Sequence, residues 1–220
     1  MRWDPQDAKW RDLLSEPGDD EDEDEEEEGE ESSSSDDDER IAEKVLKTRT
    51  VLVSEAISDE LARKIYQQLL ILESESREKP ITVMINSPGG EADSGFGIYD
   101  MLRFVAAPVR TIVAGLCASA AILVFLAGEE KQRLSLPHSR FMMHQPSSQS
   151  FGQASDLAIA STEIIKLRER YNKIVAEATH QDIDRVRRDV DRDFWLTAGE
   201  AQEYGLVDRV IERRVEIDPS

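Results

Sequence analysis

From Ile41 onward the apolar positions follow two alternating rhythms. The runs RTVLVSE, ITVMIN, VRTIVAG and RFMMHQ are short and rich in β-branched or large apolar residues, and they read as strands. In SDELARKIYQQLLILESES and SGFGIYDMLRFV the apolar residues return every three or four positions, the repeat of one helical face. On the first of these helices Ile65, Leu69, Leu70 and Leu72 are expected to face inward. Ser58 stands near its start, where a serine hydroxyl can accept from an unpaired backbone amide. IAEKVLKT reads as a short helix, SPGG as a turn, and the polar stretch PSSQSFGQ leads into a long helix from about Ala154 to Thr179. DIDRVRRDV and TAGEAQEY read as further helices and GLVDRVI as a closing strand, with no internal repeat. Alternating strands and helices predict an α/β fold with a mostly parallel sheet, right-handed crossovers and ligand groups at the carboxyl ends of strands.

One segment also meets the lower length limit of a membrane span, because Thr111 to Gly128 holds eighteen residues without a charge. Its β-rich start, TIVAG, changes at Gly115 to the alanine-rich CASAAILVFLAG, which predicts a buried strand followed by a buried helix rather than one spanning helix.

Charge separates the chain into two parts. The formal net charge is −20, yet residues 19 to 39 hold sixteen acids and no base, leaving about −3 on the chain beyond them. Such a block has too little apolar surface to offset chain entropy. Residues 1–40 are therefore expected to be a disordered acidic tail, and residues 41–220 the folded domain. Trp3, Trp10, Leu13 and Leu14 could share one helical face at the front of the tail, which suggests a docking segment. The domain has no dense run of lysine or arginine to neutralise phosphates, so nucleic acid is not an expected partner. A single cysteine, Cys117, excludes an intramolecular disulfide and a multi-cysteine zinc site and fits a reducing compartment. The first twenty residues lack the continuous apolar stretch of a secretory signal. A cytoplasmic location without membrane attachment, metal or cofactor is the expectation.

Candidate chemistry gathers at strand ends. Ser119 stands where TIVAG turns toward a helix, among Gly115, Ala118, Ala120 and Ala121, small neighbours that let a substrate backbone approach. Outside a G-x-S-x-G elbow, however, a serine in an alanine-rich segment also reads as a packing residue. A serine nucleophile needs a general base. His144, at the carboxyl end of RFMM, is better placed than His138 in a turn or His180 at the end of a long helix. Asn86-Ser87-Pro88-Gly89-Gly90 follows a buried strand with two glycines, which can turn backbone amides outward toward an anion. Cys117, with apolar neighbours, reads as core rather than as a second nucleophile. Many acids could complete a triad, and spacing does not choose among them.

The strings INSPGG, GLCASAA, FMMHQP, GQASDLAI and DVDRDFWLTAGEAQEYGLVD, in this order, resemble the Clp protease proteolytic subunit over about residues 41 to 213. The resemblance implies Ser119 as nucleophile, His144 as general base and Asp193 as the acid, separated by 25 and 49 residues. It implies Gly90 and Ala120 as backbone donors to the oxyanion. It also implies a crotonase-like α/β fold with β-α repeats and a long protruding helix, and an ATP-dependent serine endopeptidase that cleaves unfolded protein or peptide inside stacked heptameric rings. Partners implied are further copies of the chain in a tetradecamer, a paralogous subunit in mixed rings, and an AAA+ Clp ATPase. Residues of about Ser150 to Thr179 would make the ring-to-ring contact, and Asp191 with Arg192 resembles the inter-subunit pair.

Several positions depart from the family pattern. The acidic tail stands where the gating hairpin is expected, and Ala120 replaces a common methionine. Thr82 and Met84 replace aromatic residues of the ATPase docking pockets, and Ser148 and Gln149 replace paired glycines on the substrate-lining strand. These substitutions leave open an alternative reading, a non-hydrolytic ring subunit or adaptor that acts through assembly and its tail.

Overall fold

Short runs rich in β-branched or large apolar residues need a strand partner and apolar cover, and the structure supplies both in one sheet. The computed structural model describes residues 40–147 and 151–217. The chain divides into two units, Met1–Glu43 and Lys44–Ser220, and the sheet with its covering helices belongs to the second. The acidic block, Trp3, Trp10, Leu13, Leu14, Ser148 and Gln149 lie outside the described residues.

The elements run β1 (Thr50–Val53), α1 (Asp59–Glu75), β2 (Ile81–Ser87), α2 (Ala92–Phe104), β3 (Val109–Ala118), α3 (Ala121–Leu126), β4 (Arg133–Ser135) and β5 (Arg140–Met143). They continue with α4 (Ala154–Thr179), α5 (Ile183–Asp189), β6 (Phe194–Thr197), α6 (Ala198–Tyr204), β7 (Arg209–Val210) and a 3-10 turn, Arg214–Glu216. The helix expected over IAEKVLKT is present at residues 40–46. Among the described residues seven strands form one sheet in the order β1-β2-β3-β4-β7, with β5 joined to β3 and β6 joined to β5. All pairs are parallel except β5 with β6.

Strand β3 organises the molecule. Val109 to Val113 are all buried, as a central parallel strand covered on both faces requires. One edge pairs with β2 along most of its length; the other is shared, Thr111–Val113 with β4 and Leu116–Ala118 with β5. Gly115 stands between the two halves at φ +116°, and a Cβ there would meet Asn86 Oδ1 at 2.6 Å. That oxygen accepts from Leu116 N at 2.9 Å, replacing a ladder bond where the β2–β3 register shifts. The strand therefore runs three residues past the Gly115 boundary expected from sequence, and α3 begins only at Ala121. The uncharged run Thr111 to Gly128 is a buried strand followed by a buried helix, and no helix among the described residues is long and apolar enough to cross a membrane.

Helix α1 starts where Ser58 Oγ accepts from Leu61 N at 3.2 Å, and it buries Leu61, Ala62, Ile65, Leu69 and Leu72. Each large side chain so covered contributes about 1.5–3 kcal/mol. Leu70 corrects the expectation: it is 51% exposed. One residue rotates a helix by about 100°, so with Leu69 and Leu72 on the inner stripe Leu70 turns outward. The main core packs α1, α2, α3 and part of α4 on the sheet, with Phe125 and Phe141 stacked at a tilt, 5.4 Å between rings. On the opposite side of β3, Ile112 packs with Leu134 and Ile211 beneath Leu136 and Ile217.

Two strands are absent from the sequence expectation, β4 and β6. In β4, Arg133 is buried in a way hydropathy does not anticipate. Asp208 accepts from its Nη2 at 2.9 Å, its Nε at 3.2 Å and its backbone amide at 2.9 Å, and Ala178 O accepts from Nη1 at 2.8 Å. The pair joins β4, the end of α4 and the loop before β7.

Candidate active site

Adjacent strands whose ends align place the residues just beyond those ends side by side, and the site is built in this way. In the β3–β5 ladder Ala118 lies opposite Met142, and Ser119 N continues it by donating to Met142 O at 2.8 Å. In the antiparallel β5–β6 ladder Met143 lies opposite Phe194, so the next positions outward are His144 and Asp193. Ser119, His144 and Asp193 thus occupy the ends of three adjacent strands, although 74 residues of chain separate the first from the last.

The side chains meet. Ser119 Oγ lies 2.8 Å from His144 Nε2, and His144 Nδ1 lies 3.2 Å from Asp193 Oδ1. The imidazole is 30% exposed and the carboxylate 63%, so solvent reaches the acid end of the chain more than the serine end. Ser119 itself holds φ at +55°, a left-handed conformation that costs a non-glycine residue about 1–2 kcal/mol. The bond from its amide to Met142 holds it there.

Gly90 faces the serine from the turn after β2. Its neighbours are fixed, Ile57 N donating to Gly89 O and Glu91 N to Ile57 O, each at 2.9 Å. Ser87 Oγ donates to Glu55 O at 2.6 Å and accepts from Gly89 N at 3.2 Å, which braces the same turn. A Cβ at Gly90 would stand 2.1 Å from Ile57 O, so only glycine fits this approach. Among the described residues neither the Gly90 nor the Ala120 amide donates to another protein group, and both residues line the cleft that holds Ser119 and His144.

The cleft measures about 190 Å³, and Phe96, Leu123 and Tyr171 form its apolar wall. These three residues were invisible as site residues in the sequence, since each lies on a helix stripe that reads simply as core. His138 and His180 are exposed elsewhere, His180 in the left-handed position that ends α4. Cys117 is fully buried, and desolvation pushes its thiol pKa up, away from the reactive thiolate. Among the described residues no group of His, Cys, Asp or Glu is arranged to hold a metal ion. The arrangement can deliver a serine oxygen to a carbonyl carbon, remove its proton and offer two amides to the resulting oxyanion.

The Clp protease family model matches residues 33–214. The chain belongs to the Clp protease family. An ATP-dependent Clp protease proteolytic subunit 2 from Treponema denticola is 44% identical over 179 residues, 81% of this chain and 90% of that protein. A proteolytic subunit 3 from Rhizobium meliloti is 45% identical over 173 residues, 79% of this chain and 88% of that one. Among solved structures, an asparagine-to-aspartate mutant of ClpP1 from Listeria monocytogenes superposes with a TM-score of 0.75 at 43% identity, covering 81% of this chain and 99% of that chain. The α/β fold with its mostly parallel sheet is the Clp protease fold, and the non-hydrolytic alternative is not favoured. Of the family departures, Ala120 is buried beside the serine, while Thr82 and Met84 sit half-buried opposite Thr50 and Leu52 of β1.

Proposed function

We propose that the chain is a Clp-type serine endopeptidase with Ser119 as nucleophile, His144 as general base and acid, and Asp193 as the group that orients the imidazole. The observation that carries this reading is the unbroken line of contacts, 2.8 Å from Ser119 Oγ to His144 Nε2 and 3.2 Å from His144 Nδ1 to Asp193 Oδ1. In the reacting tautomer His144 donates from Nδ1 to the carboxylate and accepts the serine proton at Nε2. Ser119 Oγ bonds to the peptide carbonyl carbon as Nε2 takes that proton, and the amides of Gly90 and Ala120 hold the tetrahedral oxyanion. The C–N bond then breaks as Nε2 returns the proton to the leaving amine. Water repeats the sequence on the acyl-enzyme, with Asp193 ionised throughout.

The relatives are named as proteolytic subunits of ATP-dependent Clp proteases, which supports a subunit that assembles with copies of itself and is fed by an AAA+ ATPase. Leu157, Ile159 and Ile165 on α4 are 38%, 63% and 51% exposed, as befits a helix that another subunit covers. A head-to-tail interface whose rotation closes gives rings, here heptamers stacked into a tetradecamer, alone or mixed with a paralogue. Enclosed sites of this kind admit unfolded polypeptides and exclude folded ones. Residues 41–220 would be the peptidase domain and residues 1–40 an appended tail, in a cytoplasmic protein that binds neither nucleic acid nor membrane.

The test is labelling of the assembled protein with a fluorophosphonate, read as intact mass. A single adduct that disappears in Ser119→Ala is expected. A well-formed assembly that takes no label would overturn the assignment and return the scaffold reading.

A further inference from the structure

The turn that carries Asp193 has no strand ladder of its own before Phe194, so something else must hold it at hydrogen-bond distance from His144. Gln145, the residue directly after His144, makes that connection with both its backbone and its side chain. Its amide donates to Val190 O at 2.8 Å. Its Nε2 donates to Asp191 O at 2.9 Å and reaches Asp191 Oδ1 at 3.3 Å. Its Oε1 accepts from Arg168 Nη1, on α4, at 3.3 Å. One side-chain amide thus presents its nitrogen to the Asp193 turn and its oxygen to the long helix. Arg168 accounts for this orientation, because a guanidinium can only donate and so requires the amide oxygen to face it.

From this juxtaposition we infer that Gln145 is a positioning residue, which sets the separation of His144 and Asp193 by clamping residues 190–191 to the end of β5. The inference rests on the triad reading of the site. Residues next to a triad often contribute only packing, but the directionality here separates the possibilities. A glutamate at position 145 keeps the shape and the acceptor for Arg168, and strengthens that arm with a charge. It loses both donations to Asp191 and sets a carboxylate against a carbonyl and a second carboxylate. If the helix arm matters, Gln145→Glu is harmless; if the arm to the turn matters, it is damaging.

The experiment is a double-mutant cycle on the full chain with a short fluorogenic peptide, combining Gln145→Glu with Asp193→Asn. Gln145→Glu is expected to lower kcat about tenfold or more, the scale of a misplaced catalytic group, while KM stays within about twofold. In the Asp193→Asn background the same substitution should change kcat by less than about twofold, because the turn then has no carboxylate to position. Gln145→Met, which removes every side-chain hydrogen bond at similar volume, should give the same non-additive pattern and decides the case if the glutamate variant does not assemble. An active wild-type whose position-145 variants keep kcat, lose only in KM, or lose equally with and without Asp193 overturns the inference alone. A wild-type chain without Ser119-dependent turnover overturns the triad reading and this inference with it.

Discussion

Replacing Gly90 with alanine tests whether the turn after β2 supplies a donor to the oxyanion or only reverses the chain. The added Cβ would stand 2.1 Å from Ile57 O and 2.8 Å from Ile57 N, both backbone atoms. An ordinary carbon–oxygen contact is about 3.3 Å or more, so the two segments must part by roughly 1 Å. That movement breaks the bonds that link Gly89 and Glu91 to Ile57, a loss of about 2 kcal/mol for the two. The φ of +154° adds about 1–3 kcal/mol of strain for a residue with a side chain. Together these lower the thermal midpoint by roughly 6–20 °C for a domain of this size. Displacing one oxyanion donor by about 1 Å should cost a factor of about 10² to 10³ in kcat. The assay is peptide hydrolysis well below the midpoint, with fluorophosphonate labelling alongside. Gly199→Ala is the control, since nothing lies within 4 Å of a Cβ at that position in α6 and alanine favours a helix. A folded Gly90→Ala protein that retains kcat within about threefold would refute the assignment of this amide to the oxyanion.

Two further expectations concern stability. Asp208→Ala leaves the Arg133 guanidinium buried without its carboxylate and should cost about 3–5 kcal/mol, measured from urea midpoints; a loss below about 1 kcal/mol would show that the pair is not structural. Burial first, and then the bond donated to Asp189 at 3.0 Å, raise the pKa of the Tyr204 hydroxyl above its ordinary value. The folded state binds that proton more tightly than the unfolded chain, so this contribution is whole below about pH 10 and is lost as pH rises above it. The urea midpoint should therefore fall more steeply above pH 10 in the wild type than in Tyr204→Phe, and equal slopes would refute the linkage.

The hydrophobic rhythm alone located β1, β2, β5, the helices and the buried nature of β3. These are segments whose apolar spacing is settled locally. Ser119 and His144 could be nominated from their places at strand ends, but Asp193 could not, because its qualification is the antiparallel partnership of β5 with a strand that lies about 50 residues later. That strand, β6, has four residues with Trp195 nearly half exposed, too short and too mixed for a pattern to reveal. β4 escaped for a different reason: Arg133 reads as surface until Asp208 is brought to it. Motif order supplied what periodicity could not, since it names positions without needing the contacts that join them. Leu70 shows the opposite failure, an apolar residue counted as core because its neighbours were. The wall formed by Phe96, Leu123 and Tyr171 was hidden because a residue that closes a cleft and one that fills a core look identical in sequence.

Because Ser119, His144 and Asp193 leave from neighbouring strand ends, the backbone ladder brings them to one end of the sheet before any side chain adjusts their separation. A ladder has a unit step. Substitutions along Arg140–Met143 or Phe194–Thr197 alter contacts by degrees, but inserting or deleting one residue in either strand turns every following side chain to the other face. Along these two strands the arrangement is therefore more tolerant of composition than of count. Variation in this enzyme has almost no room in the number of residues that separate each strand's first pairing from its last.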